Sequence, residues 1–280
     1  MVNTYLHNLN DSFRNFLEYE LQTKGQAFRN VSGLLYNMGD GGLSGKVTYS
    51  SPFGQWIYNT GIANANVPSG VFSGSTFVPR GQDGLILDFE RGRVIFDSGV
   101  NGSFTAVYAA KDFNFYLTSA PDAKLLFENK NTFRPKFTIP FTGADPKAVY
   151  GPMIYIKRDY AKNEPFALGG EDNQCSYFRA IILSDSEWMV DAAGSIFMDA
   201  ARKNFPLLPL PPLNRYGDIR TGQSYNYLDD VNANFDPTKL VHIASVDYYR
   251  FDAKTETSLN PSFYAGFVEF QCELPRFPRI

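Results

Sequence analysis

Hydrophobic residues near the N-terminus recur at the spacing of an amphipathic helix. Apolar side chains form one stripe from Leu6 to Leu21, with Phe13 and Leu17 between them, at intervals that match a period of 3.6 residues. Gly25 follows the stripe, and glycine commonly ends a helix. The pattern therefore predicts a first helix that ends at about Gly25.

A second apolar stripe runs through residues 189–200 and predicts another amphipathic helix. Ser184 and Glu187 precede this stripe at the Ser-x-x-Glu spacing of a capping box. Arg202 and Lys203 would lie in the last turn, where positive charge suits the helix dipole. We therefore expect a capped helix that includes these two basic residues.

Between residues 46 and 119 the pattern changes to short alternating runs separated by Gly, Pro and Asn, which is typical of a small antiparallel β-domain. A glycine-rich run at residues 39–45 precedes it and predicts a boundary. The clearest hairpin joins GLILDF to RVIFD through a turn that would place Gly92 in the left-handed conformation. Asp88 and Glu90, in and beside this hairpin, are expected to face outward.

The C-terminal half combines the second helix with three strand candidates. YFRAIILS predicts a buried strand, and KLVHIASVDYYRF and PSFYAGFVEFQCEL predict two long strands that pair. The whole pattern predicts an α+β fold, with a mixed or antiparallel sheet, two amphipathic helices and an inserted β-rich domain. We expect residues 1–42 and 121–280 to form the α+β assembly domain and residues 43–120 to form the inserted domain.

The chain carries a net charge of −3, from 26 Lys and Arg against 29 Asp and Glu. This balance lacks the basic field that usually holds nucleic acid, so we expect no sequence-specific nucleic acid as a partner. No run approaches the roughly 20 apolar residues that a spanning helix needs, which predicts no membrane partner. The start, MVNTYLHNLNDSF, lacks the regions of a signal peptide, so we expect the protein to be made in a cytoplasm.

Histidine-dependent catalysis has few possible residues, because the chain contains only His7 and His242. His242 is close in sequence to Ser245 and Asp247, as a Ser-His-Asp device would require. Strand periodicity, however, places His242 and Ser245 on opposite faces unless a bulge intervenes. We therefore interpret both histidines as structural.

Asp229 and Asp230 are the most visible carboxylate pair for glycoside hydrolysis, which needs two carboxylates about 5–10 Å apart. Adjacent residues in a polar loop seldom face each other, so we interpret the pair as part of a solvated turn. Cys175 and Cys272 have no metal-ligand spacing, which predicts buried free thiols. The sequence therefore predicts no enzyme activity, no catalytic residue, no cofactor and no metal.

Aromatic residues are abundant, with 25 Phe and 17 Tyr, and such residues suit strands and interfaces. Residues 50–96 resemble virion structural proteins of tailed bacteriophages that carry a small β-domain. The shared order is an aromatic strand around Trp56, a Pro-Ser-Gly turn, a Val-x-Arg-Gly element at 78–81 and a Gly-Leu-x-x-Asp-Phe hairpin that ends in Gly-Arg-Val at 92–94.

The layout of the remainder is similar to that of tail-terminator and neck proteins, which close the tail tube and join it to the head. Such proteins form rings, commonly of six subunits, through sheet edges and extended arms. The resemblance implies a non-enzymatic head–tail connector subunit of the virion, a hexamer that also binds other tail or neck proteins. The β-domain is larger in this chain than in a minimal terminator.

The C-terminal run ELPRFPRI alternates apolar and basic residues, and its prolines exclude a helix. Such a segment suits an arm that lies across a partner, although packing on its own domain is an open alternative. The predicted interface residues are Pro275, Arg276, Phe277, Pro278, Arg279 and Ile280.

Two other functions remain open. A baseplate or tail-fibre-associated carbohydrate- or host-binding module would present solvent-facing aromatic residues in a groove of the β-domain. Trp56 and Tyr58 are the first candidates for that role, because strand alternation places them on the same face. A glycan hydrolase would instead need Asp229 and Asp230, or another carboxylate pair, held in a cleft.

Overall fold

In a computed structural model the chain forms two large β-sheets, and its two longer helices pack on one of them. The structure describes residues 5–41, 43–128, 132–133, 150–165, 171–220, 224–250 and 264–276. Within these ranges, no helix is both long enough and apolar enough to cross a membrane.

Strands greatly outnumber helices along the described parts of the chain. The α-helices in these ranges are α1 (Tyr5–Lys24), α2 (Glu187–Met198) and α3 (Tyr227–Ala233). The strands are β1 (Phe28–Asn37), β2 (Lys46–Ser50), β3 (Gly70–Ser73), β4 (Thr76–Pro79), β5 (Ile86–Asp88), β6 (Arg93–Asp97), β7 (Phe104–Lys111), β8 (Asn114–Leu117), β9 (Thr132–Phe133), β10 (Tyr150–Gly151), β11 (Met153–Pro165), β12 (Asp172–Ser184), β13 (Asn204–Pro206), β14 (Leu240–Arg250) and β15 (Tyr264–Arg276).

The six-stranded sheet has the order β13-β14-β15-β12-β11-β8. Its neighbouring strands are antiparallel, except that β11 and β8 run parallel. The predicted pairing of the two long C-terminal strands is confirmed, since β14 and β15 are antiparallel partners. The predicted buried strand is β12, which lies between β15 and β11.

Helices α1 and α2 cover one face of this sheet, which we call the inner face. On α1, Phe13 stacks on Phe178 of β12 at 4.3 Å between ring centroids and meets Phe270 of β15 edge-on at 5.0 Å. The predicted stripe is buried from Leu9 to Leu21, whereas Leu6 is exposed. Each large apolar side chain buried in this way contributes about 1.5–3 kcal/mol to stability.

The seven-stranded sheet has the order β4-β3-β7-β1-β2-β6-β5. Its core is mainly aromatic, and the largest fully buried side chains within it are Tyr49, Trp56, Phe89, Phe96 and Tyr108. The proline-rich run at residues 205–213 joins the two cores. Phe205 packs in the core of the six-stranded sheet, while Leu208 and Leu213 pack in that of the seven-stranded sheet.

The predicted α+β class is wrong, because two large β-sheets dominate the described chain and its helices are few. Amphipathic helices are easy to detect, whereas several strands carry little pattern. In strand β1, Ser and Gly interrupt the apolar residues. The strand pairs with both β7 and β2. Such a strand forms because its backbone pairs on both sides, and periodicity alone does not show this.

The sheets do not follow the predicted domain limits at every point. Strand β1, from the segment at 1–42, pairs within the seven-stranded sheet, and β8, from the segment at 43–120, pairs with β11 in the six-stranded sheet. The proposed division of the chain into an assembly domain and an inserted domain stays a prediction.

The predicted hairpin is confirmed as β5 and β6, which are antiparallel neighbours. The expectation that Asp88 faces outward is wrong, because its side chain is fully buried and accepts a 2.9 Å hydrogen bond from Arg93. The segment around Gly217 covers this edge, since the carbonyl of Gly217 accepts the N–H of Phe89 at 2.9 Å. Burial raises the pKa of Asp88, although Arg93 opposes the shift.

Gly92 in the hairpin turn adopts the predicted left-handed conformation, with φ at +62°. A Cβ atom there would lie 2.0 Å from the carbonyl oxygen of Gly54, a backbone atom that has little freedom to move.

Gly92→Ala should therefore lower the free energy of unfolding by about 2 kcal/mol or more, measured by urea denaturation. Gly74→Ala is the control, because Gly74 also has positive φ but no atom near its Cβ position. Equal losses in both variants would contradict the role of the close contact.

The second helix is confirmed, but its predicted ends are wrong. Helix α2 begins at Glu187 and its N-cap residue is Ser186, which makes no side-chain capping bond. Ser184 ends β12, and its hydroxyl accepts the N–H of Ser186 at 3.2 Å, so no capping box forms. The helix ends at Met198, before the two basic residues that were expected in its last turn.

Candidate functional site: the outer face of the six-stranded sheet

The outer face of the six-stranded sheet is the side away from α1 and α2. Strand register aligns its side chains in rows across β11, β12, β15 and β14. One row, which we call the aromatic row, consists of Tyr160, Tyr177, Gln271 and Ser245. The adjacent row, which we call the ionic row, consists of Lys157, Arg179, Glu269 and Asp247.

Ion pairs connect the ionic row to neighbouring carboxylates. The Arg179 guanidinium lies 2.6 Å from Glu269 and also pairs with Asp122. The Lys157 ammonium lies 2.5 Å from Asp122 and 3.0 Å from Asp159. These contacts fix the positions of several charged groups beside the apolar part of this face, where Ile181 and Phe267 pack with Leu125.

The same contacts keep the carboxylates charged. Burial opposes ionisation of the Asp122 carboxyl, but hydrogen bonds from Lys157 and Arg179 outweigh it and hold its pKa below the ordinary value. The hydrogen bond from Tyr249 is the largest cause of the lowered pKa of Glu269, with Arg179 acting in the same direction. Burial and the bond to Glu269 raise the pKa of Tyr249 to about 12. The carboxylates of Asp122 and Glu269 therefore stay charged at neutral pH.

A groove of about 320 Å³, which we call the sheet groove, follows the aromatic row. Tyr160 is 54% exposed and stacks on Tyr177, with ring centroids 4.3 Å apart and ring planes at 19°. Ser245 and Gln271 continue the floor of the groove across the sheet. The groove thus combines an accessible aromatic surface with hydrogen-bonding groups.

The charge of the sheet groove is mainly negative. Among the described residues, the carboxylates of Asp159, Asp247 and Glu269 line it together with Arg179. Lys157 pairs with Asp159, and the Lys162 ammonium lies 5.9 Å from the centroid of the Tyr177 ring. An exposed aromatic ring beside carboxylates suits a partner group that is aromatic, cationic or both. The described residues contain no group of three His, Cys, Asp or Glu that could hold a metal ion.

His242 and Ser245 lie on the same face of β14, because the strand contains a bulge between Ile243 and Ser245, the exception that the alternation pattern allowed. Because of the extra residue, the Ser245 side chain points to the same exposed side of the strand as that of His242. His242 Nδ1 lies 2.8 Å from Asn204 Oδ1 on β13, whereas Ser245 and Asp247 line the sheet groove. The interpretation of His242 as structural agrees with this contact.

His7 lies at a second cleft of about 260 Å³, between α1, the β5–β6 turn and the proline-rich run. Its ring nitrogen is 3.3 Å from the carboxylate of Asp11. Behind this cleft, Glu18 lies 3.1 Å from Lys111 and 3.2 Å from Arg14, and Arg14 also pairs with Glu90. These charges connect α1 to the seven-stranded sheet, so we assign them a structural role.

Asp229 and Asp230 lie in the first turn of α3 rather than in the predicted loop. The helix forms because the Asn226 side chain caps it by accepting the N–H of Leu228. Adjacent residues on a helix point about 100° apart, and Asp230 accepts a 2.8 Å hydrogen bond from Asn234. The pair does not form the facing carboxylates that glycoside hydrolysis requires.

Trp56 and Tyr58 do not form a sugar-binding surface. Trp56 is fully buried, stacks on Tyr108 at 4.5 Å between ring centroids and donates to the Ser51 hydroxyl at 3.1 Å. Tyr58 is buried as well, and its hydroxyl donates to Glu18 at 3.0 Å. Both residues belong to the core of the seven-stranded sheet.

The first two predicted interface residues lie in β15. Pro275 and Arg276 are in register with Asn173 and Asp172 of β12. The Arg276 guanidinium lies 4.1 Å above the ring of Tyr5 and so contacts its own domain. The other predicted positions, Phe277, Pro278, Arg279 and Ile280, lie outside the described residues.

Cys175 and Cys272 are buried free thiols, as predicted.

Sequence reasoning missed the sheet groove because two bulges determine which side chains of β11 and β14 face it. Besides the bulge in β14, the register of β11 shifts between Arg158 and Tyr160. A strict alternation from Lys157 would direct Tyr160 to the inner face. The charged run KRDYAK was the only local signal, since so many polar residues do not suit a buried strand.

Comparison with known proteins provides no further assignment. No protein-family model matches the chain, and no curated protein matches it either.

Proposed function

We propose that the chain is a non-enzymatic structural subunit of a tailed-bacteriophage virion, of the tail-terminator or neck type that joins head to tail. Copies of the chain assemble into a ring, a hexamer, which contacts other tail or neck proteins. The resemblance of residues 50–96 to phage structural proteins supports the location in the virion. The exposed surface of α2 supports the assembly.

The observation that carries the proposal is the position of Trp188 on α2. This side chain is 76% exposed, although Val190, Ala193 and Phe197 on the opposite side of the helix are buried. Met198 at the end of the same helix is also exposed. Tryptophan and methionine are enriched in protein interfaces, and tryptophan is common among the residues that dominate binding energy. An exposed tryptophan on a well-packed helix therefore favours a contact surface.

The role of Trp188 can be tested by changing this residue alone. Trp188→Ser should raise the concentration at which half the protein is assembled by about thirtyfold, because a buried anchor would be lost. Trp188→Tyr, which keeps an aromatic ring, should assemble nearly as well as the wild type. Analytical ultracentrifugation of both full-length variants measures this difference. Wild-type assembly by Trp188→Ser would contradict the proposed contact surface.

A further inference from the structure

We propose that the sheet groove binds residues 277–280 of a second copy of the chain. The inference rests on the proposed self-assembly, since it identifies a further surface, besides the one around Trp188, through which one subunit binds the next. The segment has the sequence Phe-Pro-Arg-Ile and follows directly after β15.

The groove offers two features that this segment matches. The first is the exposed ring of Tyr160, which is stacked on Tyr177 and leaves its outer side accessible. The second is an excess of negative charge, because Asp247 adds to the carboxylates of Asp159 and Glu269, with which Lys157 and Arg179 already pair. A neutral apolar peptide would use the first feature only, and a lysine-rich peptide the second only.

The segment carries complementary groups in a compact order. Phe277 can stack on the tyrosine surface, and Arg279 can pair with a carboxylate or lie above an aromatic ring. Pro278 restricts the backbone between them to an extended conformation, which reduces the entropy lost on binding. The segment therefore matches the groove in charge and in aromatic character.

The groove of the same chain is out of reach of the segment. Along β15, Gln271 of the aromatic row lies five residues before Arg276 and Glu269 lies seven residues before it. At about 3.3 Å per residue these positions are about 17 Å and 23 Å from the end of the strand. Four extended residues span at most about 14 Å, and reversing the chain direction requires about four residues by itself. The groove that receives the segment must therefore belong to another copy.

Two different surfaces meet in this contact, which allows a head-to-tail arrangement. In such an arrangement each subunit inserts its segment into the groove of the next subunit and receives the segment of the subunit before it. Contacts of this head-to-tail kind produce closed rings when the rotation between subunits closes. Reciprocal exchange of the segments between two copies would instead give a two-fold dimer, so the mass of the assembly distinguishes the proposed ring from a dimer.

Charge reversal on each side of the contact tests the proposal in the full chain. Arg279→Glu and Asp247→Arg should each raise the concentration for half assembly about thirtyfold, measured by analytical ultracentrifugation. The double variant, Arg279→Glu with Asp247→Arg, should return to within about threefold of the wild type, because the pair is restored with opposite signs. Asp229→Arg is the matched control, since it makes the same charge change on α3 and should leave assembly unchanged.

Mixing two defective variants shows whether the contact joins different copies. Arg279→Glu keeps an intact groove, and Tyr160→Ser with Asp247→Ala keeps an intact C-terminal segment and adds no positive charge with which the altered segment of the first variant could pair. At a protein concentration just sufficient to assemble the wild type, each variant alone should be mostly monomeric, whereas their mixture should form a dimer that contains one chain of each. Circular dichroism before mixing verifies that both variants are folded.

The outcomes separate this proposal from the proposed function. A monomeric wild type would overturn both the self-assembly and the groove contact. A wild type that assembles, with Arg279→Glu and Asp247→Arg assembling equally well, would overturn the groove contact alone. Calorimetric binding of chitotriose that is lost in Tyr160→Ser, together with normal assembly of Arg279→Glu, would assign the groove to a sugar and overturn the proposal.

Discussion

Replacing Glu18 by alanine is expected to lower the free energy of unfolding by about 3–5 kcal/mol. The carboxylate of Glu18 is buried and accepts a hydrogen bond from Tyr58 at 3.0 Å. It also lies 3.1 Å from the buried Lys111 and 3.2 Å from Arg14. Without Glu18, the Lys111 ammonium would remain buried with no opposite charge beside it. Urea denaturation followed by circular dichroism measures the loss.

A control variant separates this effect from the general removal of an ion pair. Glu164 on β11 pairs with Lys162 at 2.6 Å, but both side chains are about half exposed. Glu164→Ala should leave the free energy of unfolding unchanged, because solvent-exposed pairs contribute little. A loss for Glu18→Ala as small as that for Glu164→Ala would contradict the structural role of the buried network.

The same network predicts a dependence on pH. Burial would raise the pKa of the Glu18 carboxyl, but the charges of Lys111 and Arg14 outweigh burial and hold that pKa below its ordinary value. A lowered folded-state pKa stabilises the fold above the unfolded pKa of about 4.3, and this contribution is lost as pH falls through the folded pKa. The difference in unfolding free energy between wild type and Glu18→Gln should therefore be complete at pH 7 and shrink below about pH 4.

Replacing Trp56 by alanine is the second change with a large expected effect, about 3–5 kcal/mol. The indole is fully buried between Tyr108, on which it stacks, and Phe89, which it meets edge-on at 6.5 Å. Its removal would leave a large cavity in the core of the seven-stranded sheet and would also remove the hydrogen bond to Ser51. Urea denaturation of the full chain gives the size of the loss.

The other tryptophan of the chain provides the matched control. Trp188 is 76% exposed, so Trp188→Ala removes the same side chain without creating a cavity. Its unfolding free energy should stay within about 0.5 kcal/mol of the wild type under conditions where the protein is monomeric. Similar losses for both variants would show that Trp56 does not support the core as the structure indicates.

The sequence predicted those elements whose pattern is strong and local. The stripe of α1 and the hairpin with Gly92 both depend on interactions between residues close in sequence. The pairing of β14 with β15 also followed from two long apolar runs joined by a polar linker. Strand β1 was missed because its stability depends on two partners that are remote in sequence.

Errors at single residues have similar physical causes. Asp88 was expected to face solvent, but a remote segment around Gly217 covers it and Arg93 neutralises it. Asp229 and Asp230 were placed in a loop, although the Asn226 cap initiates a helix there. Each error reflects a contact or a cap that the alternation of polar and apolar residues does not show.

The candidate site could not be predicted for a related reason. The sheet groove depends on bulges in β11 and β14, and each bulge shifts the following side chains to the other face. The tyrosine pair at its centre, Tyr160 and Tyr177, lies in different strands that only the register brings together. The C-terminal segment, by contrast, was selected from its sequence alone, by its prolines and arginines.

Native mass spectrometry of the full-length protein is the decisive measurement, because the proposed function requires that the chain assembles with itself into a ring. We expect a closed oligomer, with the mass of a hexamer, whose population rises with protein concentration. A protein that remains monomeric from low to high micromolar concentration would contradict the proposed ring.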